Sequence, residues 1–336
     1  MQNGIYIYCI IKTSEHQEFG AIGIGDATAS NVLTIGFKDI AAVISHNPLV
    51  VYDSLSKEKV IKDLFTHERV IEKIMGRFTT VPVKFGTMVE TEDRVIEFLE
   101  NGYTLLRNEL DKVEGKIEQD VVATWEQPAV LAILARQNEQ FREMQQKIAS
   151  EGEQASIEDK VLLGQLIDQA LKTEKNKYQQ LILQDLKQES VDICPYDMIN
   201  DDMIFNAAFL LEKKNQEAFD NAIHSLDQKL ENTVYFREVG PLPPYSFSTI
   251  LFKRIDPEEV EEAKNTLGLT GEITEEALRD AYYQLAKKYH PDKTSGDTSQ
   301  EFQVIQNAHR TLRNFIEGGL IHTQVYRWKE DVQWDS

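Results

Sequence analysis

Apolar and polar positions change period several times along the chain. IYIYCII (5–11), VLTIGF (32–37) and IAAVISH (40–46) are short apolar runs rich in β-branched and aromatic residues, which predicts three strands of an N-terminal sheet. The next stretch, SKEKVIKDLFTHERVIEKIMGRF, has helical spacing. Ser56 stands where an N-cap belongs, and Ile61, Leu64, Phe65, Ile71, Ile74 and Phe78 recur at three- and four-residue steps, predicting a helix that buries that stripe. TTVPVKFGTMV (79–89) returns to strand character, with Pro82 confined to an edge or bulge because it has no amide to donate to a ladder. A helix over 91–113, capped by Thr91, carries Val95, Leu99, Tyr103, Leu106 and Leu110 on one face, and VVATWE (121–126) reads as a closing strand. Residues 1–126 are therefore expected to form an α+β domain with helices on one side of its sheet.

From Pro128 the pattern becomes two long helices, about 128–149 and 156–187, joined by SEGEQAS. Leu163, Leu166, Ile167, Ala170, Leu171, Tyr178, Leu181 and Ile182 hold a seam, which predicts a helical hairpin filling its own core. A strand at 202–212, a helix over 214–230 and a strand at 233–240 complete a second α+β domain over 127–255. GPLPPYSFSTILF (240–252) ends it with prolines that stiffen the backbone and are expected to display carbonyls and aromatic rings. Residues 257–316 are helical throughout: a helix to about Leu267, one from Thr274 to Tyr289, and one from about Thr298 to Phe315. Residues 317–336 form a tail. The fold class is α+β, with two such lobes and a long helical hairpin, followed by a small all-α domain.

Length and charge narrow the function. A chain of 336 residues has room for two or three cores. The net charge of −20 argues against a grip on nucleic acid or anionic lipid, which needs a concentrated basic face. No apolar run reaches the roughly 18 residues of a membrane span, and the start lacks a basic n-region, so a cytoplasmic location is expected. Cys9 and Cys194 are expected to be reduced thiols. GAIGIGDA (20–27) has neither dinucleotide spacing nor a GK[ST] ending and reads as a loop between strands. The seven histidines show no metal-ligand spacing, and His67 reads as a partly buried structural residue. No metal or other cofactor is expected, and no enzymatic constellation is present in the sequence.

The tripeptide His290-Pro291-Asp292 carries the clearest chemistry. Pro291 ends the preceding helix and presents His290 and Asp292 at a rigid tip, where the imidazole can donate or accept and the carboxylate can pair with an arginine. Lys287 and Lys288, in the last helical turn, suit the helix dipole and make a small basic patch for an acidic partner.

The run NTLGLTGEITEEALRDAYYQLAKKYHPDKTSGDTSQEFQVIQNAHRTLRN resembles the J domain of DnaJ-family co-chaperones. That resemblance implies docking on a DnaK-class heat-shock ATPase chaperone and stimulation of its ATP hydrolysis. His290, Pro291 and Asp292 would be the stimulating loop, with Arg279, Tyr282, Lys287 and Lys288 on the docking helix and Phe302 on the supporting one. Tyr283 and Gln284 stand where the family often has basic residues, and the family's fourth helix is replaced by GGLIHTQVYRWKEDVQWDS, which implies weaker coupling. TTVPVKFGTMV resembles the V-L-P-V-R-F-G segment of the GvpF/GvpL gas vesicle family, and FREVGPLPPYSF its G-P-W-P-P-Y-S-F, with Leu242 in place of tryptophan. The motif residues are Pro82, Val83, Lys84, Phe85 and Gly86 in the first and Gly240, Pro241, Pro243, Pro244, Tyr245 and Phe247 in the second. This second resemblance implies two ferredoxin-like lobes and a role in gas vesicle formation through the shell protein GvpA, in company with other gas vesicle accessory proteins. The shell contact is expected at the N-terminal sheet, while the motif residues are expected to hold the fold. Two functions follow: an assembly factor that binds shell protein and recruits the ATPase chaperone at the vesicle, or a minor structural component whose degenerate J domain is a scaffold.

Overall fold

The computed structural model describes the chain apart from residues 1–2, 26–27, 51, 53–54, 138, 155, 231–232, 255–256, 272, 290–298, 319–320 and 328–336. Two units emerge. One joins residues 1–114 with 248–326, and the other is built from 115–247.

The first unit opens with β1 (Asn3–Lys12), β2 (Glu18–Gly23), β3 (Ser30–Phe37) and β4 (Ile40–Pro48), followed by α1 (Lys57–Met75), β5 (Thr80–Pro82), β6 (Met88–Val89), α2 (Glu92–Asn101) and α3 (Tyr103–Val113). The sheet runs β2-β3-β4-β1-β5, with β6 also paired to β1. Pro82 lies in the edge strand, opposite Cys9, where its missing amide disturbs no second neighbour. β2 occupies the first half of the stretch read from sequence as a loop. The predicted helix over 91–113 is broken at Gly102, which separates α2 from α3.

Helices cover both faces of this sheet, where the sequence reading had them on one. β1 is buried along almost its whole length, as its unbroken apolar run requires. Ile5, Ile7 and Ile10 pack with Val95, Phe98, Leu99, Leu106 and Leu110 of α2 and α3, while Tyr6 and Tyr8 meet His67 of α1. The predicted α1 stripe is also corrected. Asp63, His67, Val70, Ile71 and Ile74 are the buried residues, at i, i+4, i+7, i+8 and i+11, whereas Ile61, Leu64 and Phe65 face solvent, Phe65 at 62% exposure. The polar pair displaces the apolar triplet because both of its members find partners. Asp63 accepts from Tyr52 and Lys59, and His67 bonds Tyr6.

The second unit contains β7 (Lys116–Trp125), α4 (Gln127–Gln137), α5 (Glu139–Glu151), α6 (Ile157–Lys187), β8 (Asp192–Pro195), β9 (Met203–Glu212), α7 (Gln216–Lys229) and β10 (Val234–Leu242). Its antiparallel sheet runs β10-β7-β9-β8. β7, expected to close the first sheet, is instead central here, flanked by β9 and β10. The hairpin of α4–α5 against α6 is present; its predicted seam residues Leu163, Leu166, Ile167, Ala170 and Leu171 are only half-buried, and full burial on α6 is confined to Tyr178, Ile182 and Leu186.

The chain then returns to the first unit with β11 (Thr249–Arg254), α8 (Pro257–Leu267), α9 (Glu275–Tyr289), α10 (Ser299–Gly318) and β12 (Ile321–Tyr326). β11 and β12 pair antiparallel from Thr249↔Tyr326 to Arg254↔Ile321, so the three helices lie between two hydrogen-bonded strands. The sequence reading had assigned no element to 321–326. Val260, Ala263, Leu267, Leu278, Ile305, Ala308 and Leu312 form the core of the three helices.

Candidate functional site

α9 holds most of the residues that the J-domain resemblance nominates. Thr274 caps it, its Oγ1 accepting from the Ala277 amide at 3.2 Å, and Glu275 and Glu276 favour the positive end of its dipole. Leu278 is buried in the three-helix core, and Ala281, Leu285 and Tyr289 pack against it. That packing sends Arg279, Tyr283 and Lys287, spaced i, i+4, i+8, to one exposed stripe. Arg279 lies 3.6 Å from the exposed Asp280, a pairing too solvated to hold it. Lys288 is off the stripe, its Nζ 5.0 Å from the Tyr289 ring centroid. Tyr282 points inward to His309 of α10, rings 4.3 Å apart. Phe302 is half-buried on α10. α9 ends at Tyr289, and His290, Pro291 and Asp292 lie outside the described residues.

The first gas vesicle motif folds into a buried polar and aromatic cluster. Val83 donates to the Tyr8 carbonyl at 2.9 Å, Lys84 donates to the Ile250 carbonyl at 2.9 Å, and Thr87 returns to the Lys84 carbonyl to close a turn. Gly86 sits at φ +84, a conformation that favours glycine, and its amide donates to Tyr6 Oη at 3.0 Å. Tyr6 Oη in turn meets His67 Nδ1 at 3.0 Å, and His67 also bonds the Val83 backbone. The Phe85 ring packs against Tyr52 and His67. Burial, opposed by the Val83 bond, pulls His67 down to about 4, so the imidazole is neutral near pH 7. Burial likewise raises Tyr6 well above an ordinary phenol.

The second motif is exposed at Gly240 and Pro241 but buried from Pro243 onward, which corrects the expectation of displayed rings. Pro243, Pro244, Ser246 and Phe247 are buried and Tyr245 half-buried, with Phe247 packed among Cys194, Ala208 and Leu210. The anchor is electrostatic: Glu118 Oε2 accepts the Ser246 amide and Oε1 accepts its hydroxyl, both at 2.8 Å. Gly240 passes so close to Gln119 that an added Cβ would meet its Oε1 at 2.1 Å. Burial pushes Glu118 up to about 8, helped by Asp120 and opposed by Ser246. Burial also moves Asp120 up to about 6, against a Tyr196 hydrogen bond. The signals missed in the sequence were Tyr6-x-Tyr8 and Glu118-x-Asp120, polar groups at strand spacing inside strands that are otherwise buried.

Cys9 and Cys194 are buried and not joined in a disulfide. Among the described residues no group of three or more His, Cys, Asp or Glu could hold a metal ion, and no helix is long and apolar enough to cross a membrane.

Similar proteins fit this arrangement. The family model described as gas vesicle synthesis protein GvpL/GvpF matches residues 4–249, and that of the DnaJ domain matches 265–315. Gas vesicle protein F of Nostoc sp. is 26% identical over 256 residues, 74% of this chain and 100% of the relative. Gas vesicle protein F of a Streptomyces species is 27% identical over 246 residues, 72% of this chain and 98% of the relative. The crystal structure of gas vesicle protein GvpF from Anabaena sp. superposes with a TM-score of 0.61 at 25% identity, covering 73% of this chain and 98% of that one. GvpF from Microcystis aeruginosa shares the fold, with a TM-score of 0.54 at 22% identity over 73% and 98% of the two chains. The α8–α10 module is therefore a J domain, and the chain that carries it belongs to the GvpL/GvpF gas vesicle family.

Proposed function

We propose that this protein is a non-enzymatic gas vesicle assembly factor, which holds the apolar shell protein GvpA and brings a DnaK-class ATPase chaperone to it from the cytoplasm. The observation that carries the reading is the joining of a GvpL/GvpF body and a J domain in one chain. Such a join raises the local concentration of chaperone at the client to the order of millimolar for a short tether. On α9 the exposed Arg279 and Lys287 stripe, with Lys288 beside it, supplies a basic docking surface for an acidic chaperone face. The client side moves from the N-terminal sheet to the helix that covers it. Ile61, Leu64 and Phe65 are 52%, 36% and 62% exposed on α1, a contiguous apolar stripe suited to an apolar subunit.

Two measurements test the two halves. His290→Gln in the full chain is expected to abolish stimulation of the chaperone ATPase, and an unchanged rate removes the recruiting role. Phe65→Asp is expected to cut co-purification of shell protein at least fivefold, and full retention removes α1 as the client face.

A second reading, a vesicle component whose J domain is only a scaffold, is favoured by one feature: Tyr283, 70% exposed, occupies the stripe where J domains often carry a basic residue. Stoichiometric retention on washed vesicles, with the His290 variant forming vesicles normally, would select it.

A further inference from the structure

α10 and β12 enclose a shallow pocket of about 450 Å³, lined by His309, Arg310, Arg313, Asn314, Thr323 and Gln324. The four α10 residues fall at i, i+1, i+4 and i+5 and so share one face. Asn314 is 9% exposed, and its side-chain amide has no hydrogen-bond partner among the described residues. Thr323 Oγ1 is buried and also without a partner. Native structures rarely leave such groups unsatisfied; the Thr323 hydroxyl is packed against Gly102 of α2, so it is the unbonded Asn314 amide, on the pocket lining, that points to a ligand. Arg310 donates to Asn307 Oδ1 at 3.0 Å, which fixes its guanidinium and leaves further N–H groups available. No acidic side chain is among the described residues lining the pocket.

Every polar lining group can donate, and two of them carry permanent positive charge. Such a set selects an anion with several oxygens, and guanidinium forks suit a phosphoryl group in particular. A carboxylate, with one charge and two oxygens, would leave part of the set unfilled. We propose that this pocket is a phosphate-binding site, taking inorganic phosphate or the terminal phosphate of a nucleotide. Its occupancy would reach the docking helix, because the His309 ring that lines the pocket packs on Tyr282 of α9. Burial and the Arg313 charge lower His309 at present, and a bound dianion opposes the second of these.

The test uses the full chain with histidine-selective ring labels, titrated at constant pH and ionic strength with inorganic phosphate, with ADP and with acetate in separate arms. His309, assigned through a His309→Asn variant, is expected to shift saturably with phosphate, ADP or both, which also identifies the source. Arg310→Gln with Arg313→Gln should weaken that binding at least tenfold, and Asn314→Leu at least threefold. Both arginines are exposed, so their replacement should not unfold the chain. Should it do so, Asn314→Leu carries the test alone. The site is overturned if neither phosphate arm moves His309, if acetate saturates it equally, or if the variants respond as the native chain does. None of these readings depends on whether α9 docks a chaperone.

Discussion

Behind each gas vesicle motif sits a buried ionisable side chain kept neutral, a base in the first unit and an acid in the second. His67 supports the VPVKFG turn through Tyr6 and Gly86, and Glu118 supports the PPYSF turn through Ser246. Among the described residues neither forms an ion pair. Both turns are held by hydrogen bonds that the neutral form can make, which avoids the desolvation of a full charge. Both motifs thus anchor backbone geometry, and the opposite character of the two buried groups gives the units opposite responses to acid.

Glu118 titrates near 8 in the folded chain against an ordinary 4.5, so the folded form holds the extra proton between those values. Its contribution is whole at pH 4.5 and is lost as pH rises to 8. The expected loss for the second unit is about 4 kcal/mol between these limits. Hydrogen exchange of β7 amides across this range should show it, and Glu118→Gln should flatten the slope. His67 runs the other way. The unfolded chain takes up a proton at the ordinary 6.5, while the folded one resists to about 4. Its contribution is whole above pH 6.5, and about 3 kcal/mol is lost as pH falls to 4. Exchange of β1 amides should follow that course, and a β1 slope of the same sign as that of β7 would break the contrast. Tyr6→Phe is a sharper cut within the first unit, since it leaves the Gly86 amide without its acceptor. About 1–3 kcal/mol of stability should go, read as a shifted urea midpoint. The smallest effect belongs to Phe65→Asp, within about 0.5 kcal/mol because the ring is already in water. A Phe65 inside the core, as the sequence periodicity places it, would cost several times more.

Most elements were legible in the sequence because their periods are strong: β1, β3, β4, α1, α6, β9, α7 and the three helices of the J domain stand close to where spacing places them. The α1 face was misread because periodicity weighs only apolarity. Ile61, Leu64 and Phe65 lie roughly a third of a turn from the buried face, and that face was claimed by Asp63 and His67 through partners distant in sequence, Tyr52 and Tyr6. β7 was given to the wrong sheet because strand partners are not encoded locally. β12 had a weaker signal, since IHTQVY sets the β-branched Ile321, Thr323 and Val325 at alternate positions. The J-domain helices were readable for the opposite reason: Val260, Leu267, Leu278, Ile305 and Leu312 form a compact core whose contacts are local.

The ladder from Thr249↔Tyr326 to Arg254↔Ile321 turns the J domain into a detachable cassette. Cutting the chain at residue 256 would strip β11 of its mate and damage the body it was meant to isolate. Replacing 255–320 with a two-residue hairpin turn keeps both strands in register, so the GvpL/GvpF body can be separated from its J domain without an open seam.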